Sequence, residues 1–176
     1  MRRLVAIVAV AALSACAPGS GAGGGGSGAS HAVSDHPLIG APAPDFELQS
    51  FDGKGKVALV TSSGKVTIVD FWATWCEPCR ASFPAYQKML DDFDGKLEVL
   101  GISVDEDSSG IAAFKASTGV KFPLAWDEGQ GAAKNYQPPT MPTSFVVDKN
   151  GVVRFVHAGF TDADEAQIRS EVSGLF

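Results

Sequence analysis

The sequence predicts one α/β domain, a mixed central sheet flanked by helices with a small β-hairpin at its start. Three observations carry this. The run Val66 to Trp72 is β-branched and aromatic with little polar content, as expected of a central strand covered on both faces. Just beyond it, Phe83, Tyr86, Met89, Leu90 and Phe93 recur at three- and four-residue spacing, which marks a helix with one buried face. Strand and helix patterns then alternate onwards, and 176 residues suffice for one such domain but not two once the ends are discounted.

The first fifteen residues stand apart. Arg2 and Arg3 precede an apolar run from Leu4 to Leu13, too short for a permanent bilayer span of about 20 residues, and so read as a secretory signal. Leu13-Ser14-Ala15-Cys16 resembles the lipobox of bacterial lipoproteins, which implies cleavage before Cys16, its acylation, and a membrane anchor through lipid. Ala17 after it resembles the pattern that permits export to an outer membrane. From Pro18 to about Ser30 nearly every residue is Gly, Ser or Ala, a composition that cannot offset its own ordering entropy. The segment His31 to Pro44 is richer in proline and is expected to stay irregular, with His31 and His36 as solvated residues of the tether and not metal ligands. The expected organisation is a signal peptide at 1–15, a lipidated Cys16 with its tether at 16–42, and a folded domain at 43–176.

Within the domain, Asp45 to Leu48 and Lys56 to Val60 flank the turn chemistry of Phe51-Asp52-Gly53-Lys54-Gly55 and predict the small hairpin. Val66 to Trp72 follows, then a helix from Glu77 or Pro78 to about Phe93, ended by Asp94-Gly95. Leu97 to Val104 reads as a second buried strand. Ser108 or Ser109 is expected to cap a helix that Gly119 terminates, and Gly129 to Tyr136 to form a short one. Thr143 to Val147 and Val152 to His157 flank Asp148-Lys149-Asn150-Gly151, a hairpin signal. Thr161, with Asp164 three residues on, caps the last helix.

Charge narrows the partners. Without Arg2 and Arg3, 12 basic residues face 20 acidic ones, a formal charge of −8, which excludes nucleic acid as an expected partner and leaves membrane attachment to the lipid. There are three cysteines. With Cys16 assigned to lipid, Cys76 and Cys79 remain as a C-x-x-C pair in an exported chain, too few for a structural disulfide scaffold.

That pair lies in Trp72-Ala73-Thr74-Trp75-Cys76-Glu77-Pro78-Cys79, at a strand-to-helix junction. Cys76 falls at the helix N-terminus, where unpaired N–H groups and the helix dipole favour a thiolate; lowering a thiol pKa from about 8.5 to about 7 corresponds to roughly 2 kcal/mol. Cys79, one turn along, is placed to attack the mixed disulfide. Pro78 is tolerated because N–H groups of the first turn lack intrahelical acceptors.

This stretch resembles the active site of the thioredoxin superfamily, and with Ala43-Pro44-Asp45-Phe46 it is similar to the exported TlpA/ResA-like branch of AhpC/TSA-Redoxin type. The resemblance covers about residue 41 to the C-terminus. It implies a thioredoxin fold and a thiol-disulfide oxidoreductase that needs no cofactor or metal, acting on protein thiols and disulfides and recharged by an upstream electron donor. It implies catalytic roles for Cys76 and Cys79, which would form the redox disulfide, and for Asp70, which resembles thioredoxin's buried proton-transfer residue. Many TlpA-like members carry Asn at that place. Met141-Pro142-Thr143 resembles the family's cis-proline position, so the substrate face would comprise Trp75, Pro78, Met141 and Pro142. Glu106 resembles an acid near the ResA-like active site; with Glu77 and Asp70 it would oppose the thiolate and favour a reductant over a strong oxidant. Disulfide reduction in exported proteins, as in cytochrome c maturation, is the activity expected.

Other classes fit less well. A peroxiredoxin-like peroxidase needs Thr where Ala73 stands, a Sco-like copper-site assembly factor needs C-x-x-x-C plus a His such as His157, and a Cys-His hydrolase leaves Cys79 unexplained. A non-catalytic binding module of the same fold is the remaining alternative.

Overall fold

The computed structural model describes residues 30–60 and 63–176; Cys16, the apolar run and the Gly-rich segment lie outside the described residues. Its centre is β4 (Val66–Trp72), every residue of which is buried. β5 (Leu97–Ser103) pairs with it in parallel and β7 (Thr143–Val147) antiparallel, so both edges of β4 are occupied. β8 (Val153–Ala158), β1 (Ala32–Val33) and β6 (Leu124–Trp126) complete six strands in the order β1-β8-β7-β4-β5-β6. A separate antiparallel pair, β2 (Glu47–Gln49) with β3 (Lys56–Ala58), is the expected N-terminal hairpin.

Alternation along β4 divides the core. Val66, Ile68 and Trp72 face one layer with α1 (Glu77–Asp92), α2 (Ile111–Thr118) and α4 (Asp162–Ser173), which add Phe83, Tyr86, Met89, Phe114, Ile168 and Val172. Val69 and Phe71 face the other layer, with Phe145 and with Tyr136 of α3 (Gly131–Tyr136). Trp72 anchors the end of β4 between Phe83 and Phe114, with ring centroids 4.9 and 4.4 Å away. Helices thus cover both faces of a mixed sheet, and the strand that enters the Cys pair is, like β7, enclosed along its whole length.

α1 contains Pro84 in its interior, where the ring removes one backbone hydrogen bond. Pro84 lies on the exposed face, so water can serve the freed carbonyl while Phe83, Ala85 and Tyr86 still pack inward.

Three departures from the sequence reading have physical causes. The segment expected to be irregular carries β1, whose Ala32 and Val33 pair with His157 and Val156; two residues are too few for any periodicity. His31 is exposed as expected, but both histidines are tied to the domain: the His31 Nδ1 lies 2.7 Å from Asp164 Oδ2, and half-buried His36 packs edge-on to Phe145 at 5.1 Å. Neither Ser108 nor Ser109 caps α2 with its side chain. Gly110 holds that position, and the Ser108 carbonyl accepts the Ile111 N–H at 3.2 Å, so backbone does the capping. Gly119 ends α2 as expected, in the left-handed region at φ 69° with its N–H on the Lys115 carbonyl.

Candidate active site

β4 delivers the chain to a short loop, Ala73 to Trp75, and α1 begins at once. Cys76 is the N-cap of α1, in extended conformation, and its Sγ accepts the Cys79 N–H at 3.2 Å. A sulfur in that position receives a hydrogen bond from one of the helix's unpaired donors, which stabilises a thiolate. Cys76 and Cys79 are joined as a disulfide, with Cα atoms 5.3 Å apart. Both are buried, Cys79 completely.

Trp75 and Pro78 flank the Cys pair in sequence, and Trp75 shares a cleft with Met141. Trp75 is 71% exposed, an apolar side chain of that size standing in solvent one residue before Cys76. Pro78 is exposed on the first turn of α1. The Met141–Pro142 peptide is cis, and the Pro142 carbonyl accepts the Gly159 N–H at 2.8 Å. Trp75 and Met141 line a cleft of about 610 Å³ together with Thr74, Asp105, Glu106 and Gln130.

The acids differ in kind. Asp70 is fully buried in the middle of β4, and this burial pushes its carboxyl up to about 7, against one opposing hydrogen bond from Ser144. Glu77 is 88% exposed and lies 3.6 Å from Arg80, one turn along, so solvent and a cation both weaken its field at the sulfurs. Glu106 is exposed on the cleft wall. Its neighbour Asp105, which sequence reasoning passed over, is the acid tied to the loop: its carboxylate accepts the Thr74 N–H and hydroxyl and the Ser103 hydroxyl. Ser144 and Tyr86 were also missed. The Ser144 hydroxyl donates to Asp70 Oδ1 at 2.7 Å and lies 2.5 Å from the Tyr86 hydroxyl.

A Cys pair at disulfide distance, one sulfur capping a helix, on a thioredoxin fold, defines a thiol-disulfide oxidoreductase. Residues 39–156 match the model of the AhpC/TSA family, and the chain belongs to that family. It is 32% identical over 126 residues to the thiol-disulfide oxidoreductase ResA of Bacillus subtilis, covering 70% of each chain. The thioredoxin-like protein YneN of the same organism is 33% identical over 123 residues, 68% of this chain and 71% of that one. Among solved structures, a thiol:disulfide interchange protein DsbE from Chlorobium tepidum is 33% identical with a TM-score of 0.73, covering 78% of this chain and 96% of that one.

Proposed function

We propose that this chain is an extracytoplasmic, lipid-anchored reductase of disulfides in exported proteins, on a route such as cytochrome c maturation, supplied with electrons by an upstream dithiol donor. Cys76 is the attacking thiolate and Cys79 the resolving thiol. In the reduced protein, the Cys76 thiolate attacks a substrate disulfide, forming a Cys76–substrate bond and releasing one substrate thiolate. Cys79 then attacks Cys76 Sγ, the Cys76–Cys79 bond forms, and the second substrate thiol leaves. Two electrons pass to the substrate, and the donor returns two to the Cys pair.

One observation carries the division of roles: Cys76 Sγ is the sulfur that caps α1, whereas Cys79 is enclosed within the first turn. Asp70 serves Cys79 as proton acceptor and donor. Trp75, Pro78, Met141 and Pro142 form the surface on which the substrate chain lies; Glu77, partly offset by Arg80, and Glu106 add a screened negative field in the direction that favours the reductant. The anchor rests on the Cys16 lipobox; among the described residues no helix is long and apolar enough to cross a membrane.

Trapping tests this reading. Cys79→Ser lacks the resolving thiol and should accumulate a covalent complex with its partner, identified by mass spectrometry after non-reducing separation. Cys76→Ser should accumulate little. A better trap in Cys76→Ser would invert the roles, and a reduction potential near −120 mV, that of a strong oxidant, would reverse the direction of electron flow.

A further inference from the structure

The sheet face beneath α1 carries a row of polar side chains across three neighbouring strands. Asp70 on β4 pairs with Ser144 on β7, and Ser144 pairs with His157 on β8. Residues directly opposite in antiparallel strands project to the same face, and all three are completely buried. α1 crosses this face with Cys79, Ser82, Phe83 and Tyr86 turned inward, so the resolving cysteine and Tyr86 occupy one stripe, two turns apart.

Proton counting fixes the direction of the hydrogen bonds. The Ser144 hydroxyl has one proton and gives it to Asp70 Oδ1 at 2.7 Å. At 2.5 Å from Tyr86 it can therefore only accept, and the tyrosine donates. Burial, followed by the charges of Asp70 and Asp164, pushes the Tyr86 hydroxyl well above its ordinary range, so it keeps the proton it donates. Such a chain polarises its middle member and strengthens the bond to the carboxylate. Asp70 Oδ2, buried like Oδ1, has no hydrogen-bond partner among the described residues. The two oxygens of one carboxyl are thus unequal: one is fixed, the other is open.

We propose that Ser144 and Tyr86 are positioning residues for Asp70, fixing its Oδ1 so that Oδ2 is the oxygen that exchanges a proton with Cys79 during resolution. The inference rests on Asp70 acting as the proton acceptor of Cys79. In the step, the Cys79 S–H proton passes to Asp70 Oδ2, and the thiolate attacks Cys76 Sγ. The Cys76–substrate bond breaks with its electron pair on the substrate sulfur, which takes up a proton from Asp70 or from water. The titratable groups sharing this face are Cys79 and Tyr86 of α1, His157 of β8, and Asp164 and Glu171 of α4. His157 Nε2 is hydrogen-bonded to Glu171 at 2.7 Å, while its Nδ1 lies 3.6 Å from Asp164, beyond hydrogen-bond distance. Asp70 itself forms no ion pair among the described residues, so the hydroxyl chain is its principal polar contact.

The test uses the full chain, reduced, with 5,5′-dithiobis(2-nitrobenzoate) as probe. Attack by Cys76 releases one coloured thiolate and resolution by Cys79 a second, so the two steps are read separately across pH. Ser144→Ala and Tyr86→Phe should slow the second release roughly threefold or more near pH 7 and move its inflection to higher pH, because a donor to the carboxylate is lost or weakened. The first release should keep its wild-type profile. In an Asp70→Asn background neither substitution should change the second release further, since both act through Asp70. Tyr86→Phe removes a single oxygen, and an unchanged melting transition shows that the fold is kept. If both variants follow the wild-type profile while Asp70→Asn departs from it, the positioning role is overturned and Asp70 keeps its own. If Asp70→Asn leaves the second release unaltered, the role of Asp70 falls, and this one with it.

Discussion

Asp105 holds Thr74 by its backbone N–H, 3.0 Å from Oδ2, and by its hydroxyl, 2.8 Å from Oδ1, two residues ahead of Cys76. The same carboxylate accepts the Ser103 hydroxyl at 2.7 Å, and the Asp105 carbonyl accepts the Trp126 indole N–H at 2.8 Å. One residue thus ties the active-site loop to the ends of β5 and β6. Asp105→Ala leaves the Thr74 N–H and two hydroxyls without their acceptor, at a cost of about 1–3 kcal/mol. We expect a lower denaturation midpoint and slower attack by Cys76, read as the first phase of thiol release. A variant with wild-type stability and rate would show that the loop is held by packing alone.

Much of this was legible in the sequence because it is written in long or repeated signals. The seven apolar or enclosed residues of β4, the helical stripe of α1, the Asn-Gly hairpin and the C-x-x-C spacing each repeat one physical requirement several times over. What was missed depends on single contacts between residues distant in sequence. Asp105 sits beside Glu106 in an acidic run, and nothing local distinguishes the one that turns inward to Thr74. Ser144 is one small residue in an apolar strand, and only the register of β7 on β4 brings it to Asp70. Buried Asp70 was legible because a carboxyl in an otherwise apolar strand is costly wherever the strand goes.

Asp164 closes the other end of the same sheet face. Its carboxylate accepts the Thr161 N–H and hydroxyl at 2.8 and 2.7 Å, which caps α4, and the Ser30 hydroxyl and His31 backbone N–H at 2.9 and 2.5 Å. Burial raises its pKa, but the hydrogen bonds from His31, Thr161 and Ser30 outweigh burial and hold it well below the usual carboxylate range. A folded pKa below the unfolded one contributes stability that is fully present above about pH 4 and lost as pH falls further. Asp164→Asn should therefore cost roughly 2 kcal/mol at pH 7 and much less near pH 2, measured by urea denaturation. It should also free the Ser30–Val33 segment, seen as faster amide exchange there. An equal loss at both pH values would assign the effect to packing.

The proposed lipid anchor is open to direct measurement. Cys16 acylation predicts a membrane-extracted chain whose N-terminal peptide carries the added mass of acyl groups. Cys16→Ser should move the protein to the soluble fraction without changing the thiol chemistry of Cys76 and Cys79. An unmodified N-terminus in the soluble wild-type protein would end the claim.

Asp70 predicts an unusual dependence of stability on pH. Burial pushes its carboxyl up to about 7, from an unfolded value near 3.8. Between those values the folded chain keeps a proton that the unfolded chain has lost. Stability attributable to this group is therefore greatest below about pH 4, declines as pH rises to about 7, and is flat above. The full decline corresponds to at most roughly 4 kcal/mol, since each pKa unit is about 1.4 kcal/mol. Asp70→Asn removes the titration while leaving an oxygen to accept from Ser144. The variant should gain on the wild type by up to a few kcal/mol between pH 4.5 and pH 8, read as the difference in urea denaturation free energy at the two values. The measurement belongs on the disulfide form, in which neither Cys76 nor Cys79 titrates, so carboxylates and histidines common to both proteins cancel in the comparison. Parallel curves for the two proteins would place the Asp70 titration outside this window and remove the reason to assign it the proton of Cys79.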